Sequence, residues 1–506
     1  MSLHFRRRRR LALCCTAAIT LVHLPGAMAS GPTAADARKD SGAKFFNLRY
    51  DEDFRYFDDD PDAYDDDLRN RLKNIHLGHD WRLDIGGEFR LRLDARTNGF
   101  FGLGLRTQNT QQNYRWMLHA NLRHGDLFRI FAQGIFAHVE DQDGPFQPTQ
   151  ENHADLHQLF FDLRILGEDV PLTLRVGRQE FDYGANRWIG PLEWTSTRRR
   201  FDALKLFYEG ERWNIDAFYV KPVRVQRKQR DRYDEDVDFF GLYTTYKGIP
   251  YHGLDFYFLA LDDTGNATNP NGQTGDQDVY TAGVRFWGNT GWLQGPSDGP
   301  GAQRTSCPTC GVGGPGTFDY NTELAGQWGH FAGDRIHAWS WNIDLGYTFN
   351  HAWRPRIGGG FDVTTGDGSS FDGHVETFNQ LFPFNNVCLG FLDLIGRQNM
   401  MMAYVGLDSW PIPDKIKTSM TFHSFWLHER EDSLYNAGGV GLLRDAMGRS
   451  GREIGQELDL SVEWIINDNS SLWLAYAYFW PGPYVHSLVP DDDHPHLFLV
   501  QYQYRF

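Results

Sequence analysis

The stretch from Trp81 to Arg96 alternates apolar and charged side chains. Its apolar positions are Trp81, Leu83, Ile85, Phe89, Leu91, Leu93 and Ala95, and its charged positions are Arg82, Asp84, Glu88, Arg90, Arg92, Asp94 and Arg96. A repeat of two residues is the periodicity of a β-strand, whose successive side chains point to opposite faces. The run is longer than a typical strand of a soluble sheet. It therefore predicts a long strand with one apolar and one charged face. In a soluble sandwich the charged face would contact water outside, whereas in a membrane barrel the apolar face would contact lipid and the charged face would line the lumen.

The last residues of the chain repeat this alternation. Phe498, Val500, Tyr502, Tyr504 and Phe506 share one parity, and Gln501, Gln503 and Arg505 share the other. An apolar edge strand at the end of a soluble protein would be an aggregation hazard. A terminal aromatic residue on an alternating strand resembles the assembly signal of outer-membrane barrels, so we expect the barrel assembly machinery to recognise Phe506.

Counting these two stretches, eighteen segments of the chain have the pattern of a strand. They are predicted to begin near residues 81, 113, 127, 154, 171, 201, 212, 238, 253, 278, 318, 336, 353, 400, 416, 454, 471 and 497. The predicted fold is all-β, a transmembrane antiparallel β-barrel of about 18 strands with long outer loops and short periplasmic turns. The connection 288–317 should be short and is not, so either a strand pair is miscounted there or a periplasmic turn is expanded.

Three segments follow from charge and composition. Arg6–Arg10, the apolar residues 11–24 and Ala27-Met28-Ala29 predict a signal peptide over 1–29. Residues 30–78 form an acidic periplasmic segment, interpreted as a solvated linker with calcium binding as a weaker alternative, and 79–506 form the barrel.

Removing residues 1–29, which contain five arginines and no acidic residue, takes the net charge from −16 to −21. This charge excludes nucleic acid as a partner. Mean hydropathy is −0.52, which is compatible with a membrane barrel because alternating strands average to a polar composition.

The cysteines and acidic loops give no cofactor or metal site. Cys307 and Cys310 form a lone CxxC in a Gly/Pro-rich loop, without the second pair that a zinc site needs. A local loop disulfide in an oxidising compartment is the favoured interpretation. The loop 262–278 has oxygen ligands for calcium but no EF-hand spacing, and a solvated outer loop is favoured. Since no GxSxG, HExxH or phosphate-loop motif is present, the chain is not expected to be an enzyme.

Several short motifs resemble one family, the alginate-export porins of the outer membrane. They are Leu48–Asp53, Leu174–Gln179, Asn186-Arg187-Trp188, Glu193-Trp194, Thr377–Pro383, Gly390–Leu394, Ile454–Leu460 and Trp480-Pro481-Gly482. The resemblance covers roughly residues 40–506. It implies an eighteen-stranded outer-membrane barrel for the export or diffusion of an anionic polysaccharide such as alginate, or of smaller anionic solutes.

The chain departs from the alginate exporter at positions that the resemblance marks as functional. Trp473 and Ala475 stand where the exporter has two pore arginines, Glu180 stands where it has another, and Gly190 replaces an aspartate. The exporter's long periplasmic turn before the penultimate strand is here reduced to Asn467–Ser470. The resemblance therefore supports the family better than it supports alginate as the cargo.

Charged residues on the polar parity of the strands are candidates to line the pore. They are Arg90, Arg92, Arg115, Arg129, Arg175, Glu457, Asp459 and Arg505, with Arg178 included only if Gly177 marks a bulge. Rings of arginine select anions in pores. The alternative is that these charges pair into ladders that serve structure alone.

Two other functions remain open. One is an outer-membrane barrel enzyme with its site in the outer loops, and the other is a structural or adhesive barrel with a plugged lumen. The expected partners are outer-membrane lipid and lipopolysaccharide, the assembly machinery and periplasmic polysaccharide-secretion proteins.

Overall fold

A computed structural model describes residues 45–59, 68–103, 108–141, 147–167, 169–227, 229–290, 316–369, 372–489 and 494–506. The predicted signal peptide, most of the 288–317 connection and the Cys307–Cys310 pair lie outside these ranges. Within them, no helix is long and apolar enough to cross a membrane.

Eighteen antiparallel strands form one closed barrel. They are β1 Trp81–Thr97, β2 Gln108–His124, β3 Phe128–Glu140, β4 Asn152–Arg164, β5 Leu172–Gln179, β6 Phe201–Glu209, β7 Trp213–Arg224, β8 Val237–Ile249, β9 His252–Thr268, β10 Thr274–Asn289, β11 Thr317–Phe331, β12 Asp334–Thr348, β13 Arg356–Thr364, β14 Met400–Ile412, β15 Ile416–Leu427, β16 Glu453–Asn467, β17 Ser470–Pro481 and β18 His496–Arg505. The predicted number of strands and the predicted fold class are confirmed.

The short elements lie at the ends of the barrel or inside it. The short strands are Ile75–Gly78, Arg232–Tyr233, His374–Val375, Ser433–Tyr435 and Gly441–Arg444. The helical turns are Arg49–Asp51, Tyr56–Asp59, Leu68–Arg71, Gly99–Gly102, Asn386–Leu389 and Pro483–Leu488.

The barrel closes between its first and last strands. β1 pairs with β18 from Glu88 opposite Arg505 to Thr97 opposite His496. The backbones of Gly87 and Phe506 then exchange two hydrogen bonds of 2.9 and 3.0 Å. Gly87 permits this approach, because a Cβ at that position would lie 2.7 Å from the Phe506 ring.

The connections define two ends of the barrel. We call the end with the tight connections 125–127, 210–212, 413–415 and 468–469 the turn end. The opposite end, called the loop end, carries the long connections 180–200, 365–399, 428–452 and 482–495. The predicted asymmetry is present with three departures: the connections 269–273 and 332–333 at the loop end are short, and the connection 290–316 at the turn end is long. The expanded turn, rather than a miscounted strand pair, therefore explains the long 288–317 connection.

The polarity of the wall is inverted relative to a soluble protein. On the outward face, Trp116 is 53% exposed and Leu118 is 59% exposed. On the inward face of the neighbouring strand, Arg90 and Arg92 are only 2% and 1% exposed. An apolar exterior around a charged interior is the arrangement that lipid demands of a barrel.

Three segments fill much of the interior. The first inward loop (180–200) and the second inward loop (365–399) enter from the loop end, and residues 45–59 enter from the turn end. The two loops are joined by backbone hydrogen bonds, from Gly190 to the Phe382 carbonyl (3.0 Å) and from Phe382 to the Trp188 carbonyl (2.9 Å).

The acidic N-terminal segment is not the solvated linker that its charge suggested, at least over its described residues 45–59. Leu48, Tyr50, Phe54 and Phe57 are buried, and Tyr50 packs edge-on against Phe160 at 5.3 Å. These aromatic and aliphatic residues alternate with the acids, so the segment carries enough apolar surface to pack inside the barrel.

We expect Leu118→Arg to destabilise the barrel by roughly 2–4 kcal/mol, because it places a charge on the lipid-facing side within the span of β2. The matched control is Leu166→Arg, since Leu166 is equally exposed but lies in the 165–171 turn. Urea unfolding midpoints in lipid vesicles measure both. Equal costs for the two variants would mean that the outward face of β2 does not contact lipid.

Candidate lumenal site

Three arginines of the wall bind the backbone of the first inward loop. Arg90 donates to the carbonyls of Glu193 (2.8 Å) and Thr195 (2.9 Å). Arg115 also donates to Thr195 O, at 3.1 Å, and Arg92 donates to the carbonyl of Trp194 while its guanidinium lies 4.7 Å from the Trp194 ring. These candidates do face the interior, but they are buried as anchors of the loop. Their role in lining an open pore stays a prediction.

Carboxylates compensate this arginine group. Arg115 is paired with Glu88 (2.6 Å) and with Glu193 of the loop. Arg505, the candidate from β18, contacts the other oxygen of Glu88 at 3.3 Å. The interior at this level therefore matches the alternative in which lumenal charges form ladders of buried pairs.

Arg129 and Arg175 share one carboxylate partner. Both contact Asp162, with Arg129 Nη2 at 2.5 Å and Arg175 Nε at 2.7 Å. Arg129 also donates to the Tyr50 carbonyl at 2.8 Å, and the Arg175 guanidinium lies 4.5 Å from the Tyr50 ring. The N-terminal segment thus covers the inner side of this pair.

The acidic candidates bind the second inward loop. Glu457 accepts a hydrogen bond from the backbone N–H of Leu392 at 3.0 Å, and Asp459 accepts one from Phe391 at 3.2 Å. Arg96 of β1 donates to the Leu392 carbonyl at 2.9 Å. Acids of the wall therefore bind backbone N–H groups of the second loop, just as arginines of the wall bind backbone carbonyls of the first.

Arg178 does not belong to the interior. Gly177 has a φ of +132°, but the pairing continues without a register shift, so Arg178 lies opposite the exposed Leu159 on the outward face. There it forms a forked ion pair with Asp202, at 2.7 and 3.0 Å. A Cβ at residue 177 would lie 2.2 Å from the Leu159 carbonyl, which explains the glycine without a change of parity.

The departures from the exporter have structural causes. Trp473 is almost fully buried between Trp194 of the first loop and Phe391 of the second, with ring centroids at 6.0 and 5.4 Å. Ala475 lies in the same apolar cluster. This part of the inward wall packs hydrophobically, so an arginine there would lose its water without gaining a partner.

Glu180 is likewise engaged in structure. It pairs with Arg198, and His157 Nε2 lies 2.7 Å from its carboxylate. Burial raises the pKa of Glu180, but Arg198 and His157 outweigh it and hold the pKa at about 2. Glu180 is therefore a fixed charge at neutral pH.

Several interior residues escaped the sequence analysis because they lie on loops without periodicity. Arg187 of the first loop pairs with Glu323 (3.5 Å) and Asp344 of the wall. Arg397 of the second loop pairs with Asp362. Arg199 reaches from the first loop to the Pro383 carbonyl of the second at 2.8 Å. Of these three arginines, only Arg187 lies in one of the motifs that resemble the alginate-export family.

We expect Arg115→Met to destabilise the folded barrel by about 3–5 kcal/mol, because it removes the cation that bridges the buried carboxylates of Glu88 and Glu193. The control is Arg354→Met at the turn end, where an exposed pair with Asp414 contributes about 1 kcal/mol or less. Urea titrations of the two variants test this. A cost for Arg115→Met as small as that of the control would mean that the anchor is not important for stability.

A second prediction concerns Asp393 of the second inward loop. Burial raises its pKa to about 6, although Arg96 and Arg92 lower it. Because the folded state binds this proton more tightly than the unfolded state, stability should fall as pH rises from about 4 to about 6 and stay lower above that, by roughly 2–3 kcal/mol. Asp393→Asn should remove this fall and stabilise the protein at pH 8. Urea midpoints at pH 4, 6 and 8 would contradict the assignment if the variant and the parent kept the same slope.

Comparison with known proteins supports this architecture. A family model described as "Alginate export" matches residues 81–496. Among solved structures, the chain is similar to three Pseudomonas aeruginosa proteins. OccK8 (OprE) shares 12% identity with a TM-score of 0.54, over 84% of this chain and 98% of that one. OccK10 (OpdN) shares 13% identity with a TM-score of 0.53, over 83% of this chain and 98% of that one, and OccK11 (OpdR) shares 10% identity with a TM-score of 0.53, over 84% of this chain and 96% of that one. At these identities the likeness concerns the fold. No curated protein matches the sequence significantly.

The match with the family model begins at the first residue of β1 and ends at the first residue of β18. It therefore covers seventeen of the eighteen strands and both inward loops. The chain belongs to the alginate-export family of outer-membrane channels.

Proposed function

We propose that this channel conducts anionic solutes across the outer membrane and that the junction of its two inward loops selects them. The observation that carries the proposal is the environment of Arg199. Its guanidinium donates only to backbone carbonyls, those of Gly190 (3.3 Å) and Pro383 (2.8 Å), and no described carboxylate lies within salt-bridge distance. It is partly exposed and lies 5.7 Å from the Phe382 ring.

An uncompensated cation in this position favours an anionic ligand. Burial lowers the pKa of Arg199 to about 9, which still leaves it protonated at neutral pH. An anion that approaches it replaces lost hydration with charge-assisted hydrogen bonds. Of the interior arginines described above, only Arg96 and Arg199 have no salt bridge to a described carboxylate, and Arg96 lies on β1 rather than at the junction of the two loops. Arg199 is therefore the arginine that we propose as the contact for a solute.

Buried polar groups next to the loops support the same function. Both amide atoms of Asn342, two nitrogens of Arg397 and one oxygen of Asp362 have no hydrogen-bond partner among the described residues. Asn342 lies opposite Asp362 on the neighbouring strand, and Arg397 pairs with Asp362. Unpaired buried polar groups are costly, and a solute rich in hydroxyl and carboxylate groups would satisfy them.

The balance of charges favours small cargo over a tightly bound polymer. Most wall arginines are paired with acids, and the inward face around Trp473 and Ala475 is apolar. We therefore propose smaller anionic solutes, such as uronates or short acidic oligosaccharides, ahead of long alginate chains, and a modest rather than strong anion preference.

The test is the reversal potential of single channels in a planar bilayer under a KCl gradient. We expect the parent protein to prefer anions and Arg199→Gln to shift the reversal potential toward cations. The shift should be larger at 0.01 M salt, where the Debye length is about 30 Å, than at 0.1 M, where it is about 10 Å. Arg178→Gln is the matched control, because it removes the same charge from the outward face and should leave selectivity unchanged.

Other outcomes would change the assignment. Cation selectivity of the parent protein would mean that the interior acids dominate, and the anionic cargo would lose its physical basis. A parent protein that carries no current in bilayers would favour the structural or adhesive barrel with a plugged lumen.

A further inference from the structure

Residues 47–53 lie against arginines of the lumen. Arg198 donates to the Asn47 side chain (3.0 Å) and carbonyl (3.1 Å). Arg129 donates to the Tyr50 carbonyl at 2.8 Å. We call residues 45–59 the N-terminal plug.

Arg123 extends this set of contacts toward the turn end. It donates to the Glu52 carbonyl at 2.6 Å and forms an ion pair of 3.1 Å with Asp53. With Arg175 stacked over the Tyr50 ring, four guanidinium groups from β2, β3, β5 and the first inward loop are covered by one short segment. The plug thus presents to these arginines what an extended anionic solute would present, a row of carbonyl and carboxylate oxygens.

Two residues fix the plug in place. Arg49 donates to the carbonyl of Gly87 and to the carbonyl oxygen of Phe506, both at 3.1 Å, at the seam where the barrel closes. Tyr50 packs edge-on against Phe131 and Phe160, and its hydroxyl donates to the Glu180 carbonyl at 2.9 Å. The seam therefore holds Arg49, and the first inward loop holds Tyr50.

The plug is attached in a way that allows it to leave. No β-ladder joins residues 45–59 to any described strand, whereas the following strand Ile75–Gly78 does pair with β1. The side chains of Asp53 and Arg55 are 39% and 44% exposed toward the turn end. Withdrawal of the plug would break side-chain contacts but no pairing within the barrel wall.

We propose that the N-terminal plug is a built-in competitor for the anionic solute: it occupies Arg123, Arg129, Arg175 and Arg198 in the resting channel and must move aside for an anion to reach them from the turn end. This inference rests on the proposed function and adds a mode of regulation to it. The plug narrows the lumen on the side of β1 to β5. Its release exposes four guanidinium groups, of which Arg129 and Arg175 share the single carboxylate of Asp162.

The test uses the full-length protein in planar bilayers, with the double variant Arg49→Ala/Tyr50→Ala and, separately, a deletion of residues 45–58. We expect the time-averaged conductance of both to rise, with the open fraction of the double variant increasing at least about tenfold, the factor that corresponds to about 1.4 kcal/mol. Anion selectivity should increase at the same time. The control is Arg354→Ala, which removes a turn-end cation that pairs with Asp414, outside the plug.

A peptide added in trans sharpens the test. A synthetic peptide of residues 45–58, added on the turn-end side, should restore the low conductance of the deletion variant, whereas a scrambled peptide of the same composition should not. Trypsin provides a measurement that does not depend on current: cleavage after Arg49 should be slow in the parent protein and fast in the Arg49-containing variant Tyr50→Ala.

The outcomes separate this inference from the proposed function. If the parent conducts anions but the double variant and the deletion have the same conductance and selectivity as the parent, the plug is structural and the inference fails alone. If the parent protein is cation-selective, the proposed function fails, and the inference that rests on it fails as well. Block by the scrambled peptide as strong as by the native one would also overturn the inference, because the effect would then be nonspecific.

Discussion

The interior of this barrel depends on hydrogen bonds between charged wall side chains and the backbone of the two inward loops. A loop that enters a barrel carries peptide groups away from water, and each of them needs a partner. Arginines of β1 and β2 supply donors for the carbonyls of residues 193–195, and acids of β16 supply acceptors for the N–H groups of Phe391 and Leu392. The wall therefore complements each loop according to which backbone group the loop turns toward it.

This constraint changes what a lumenal charge means. An arginine on the inward parity of a barrel strand suggests an open basic pore when only the strand is considered. In this molecule Arg90, Arg92 and Arg115 donate to carbonyls of the first inward loop, and Arg115 also pairs with Glu88 and Glu193. Because all three arginines are buried, no solute can reach them in this arrangement. In the function that we propose, selectivity therefore lies with the loops, where Arg199 has no salt bridge to a described carboxylate.

The wall was predictable because its information is local. Alternation identifies the face of each residue within one strand, so the inward placement of Arg129 and Glu457 followed from sequence alone, as did strand starts such as 201, 400 and 416. Strand ends with polar residues were harder: β2 begins at Gln108 rather than near 113, because glutamine and asparagine carry no alternation. Arg178 was left undecided because a glycine in a strand predicts a bulge only in some contexts, and here the pairing absorbs the positive φ.

The contents of the lumen could not be predicted in the same way. Trp194, Arg199 and Arg397 lie on irregular loops whose direction is set by contacts with distant strands, and no periodicity records such contacts. The N-terminal plug was concealed by its own charge: Asp51, Glu52 and Asp53 suggested a solvated tail, whereas Leu48, Tyr50 and Phe54 between and beside them pack inside. A run of acids interleaved with aromatic residues is better interpreted as a segment that binds a basic surface.

Taken together, these interactions make the three inserted segments interdependent. Arg198 of the first inward loop contacts the plug through Asn47, pairs with Glu180 and Glu193, and lies on the same loop as Arg199. The first loop in turn bonds to the second through Gly190 and Phe382. A displacement of the plug would remove two hydrogen bonds from Arg198 and leave its charge to the two glutamates. Because the interior is closely packed, such a change is passed on as a rearrangement of the loop rather than absorbed locally. The turn end and the junction of the two inward loops are thus physically connected, and a channel built in this way can couple the position of the plug to the arrangement of the loops that we propose as its selective part.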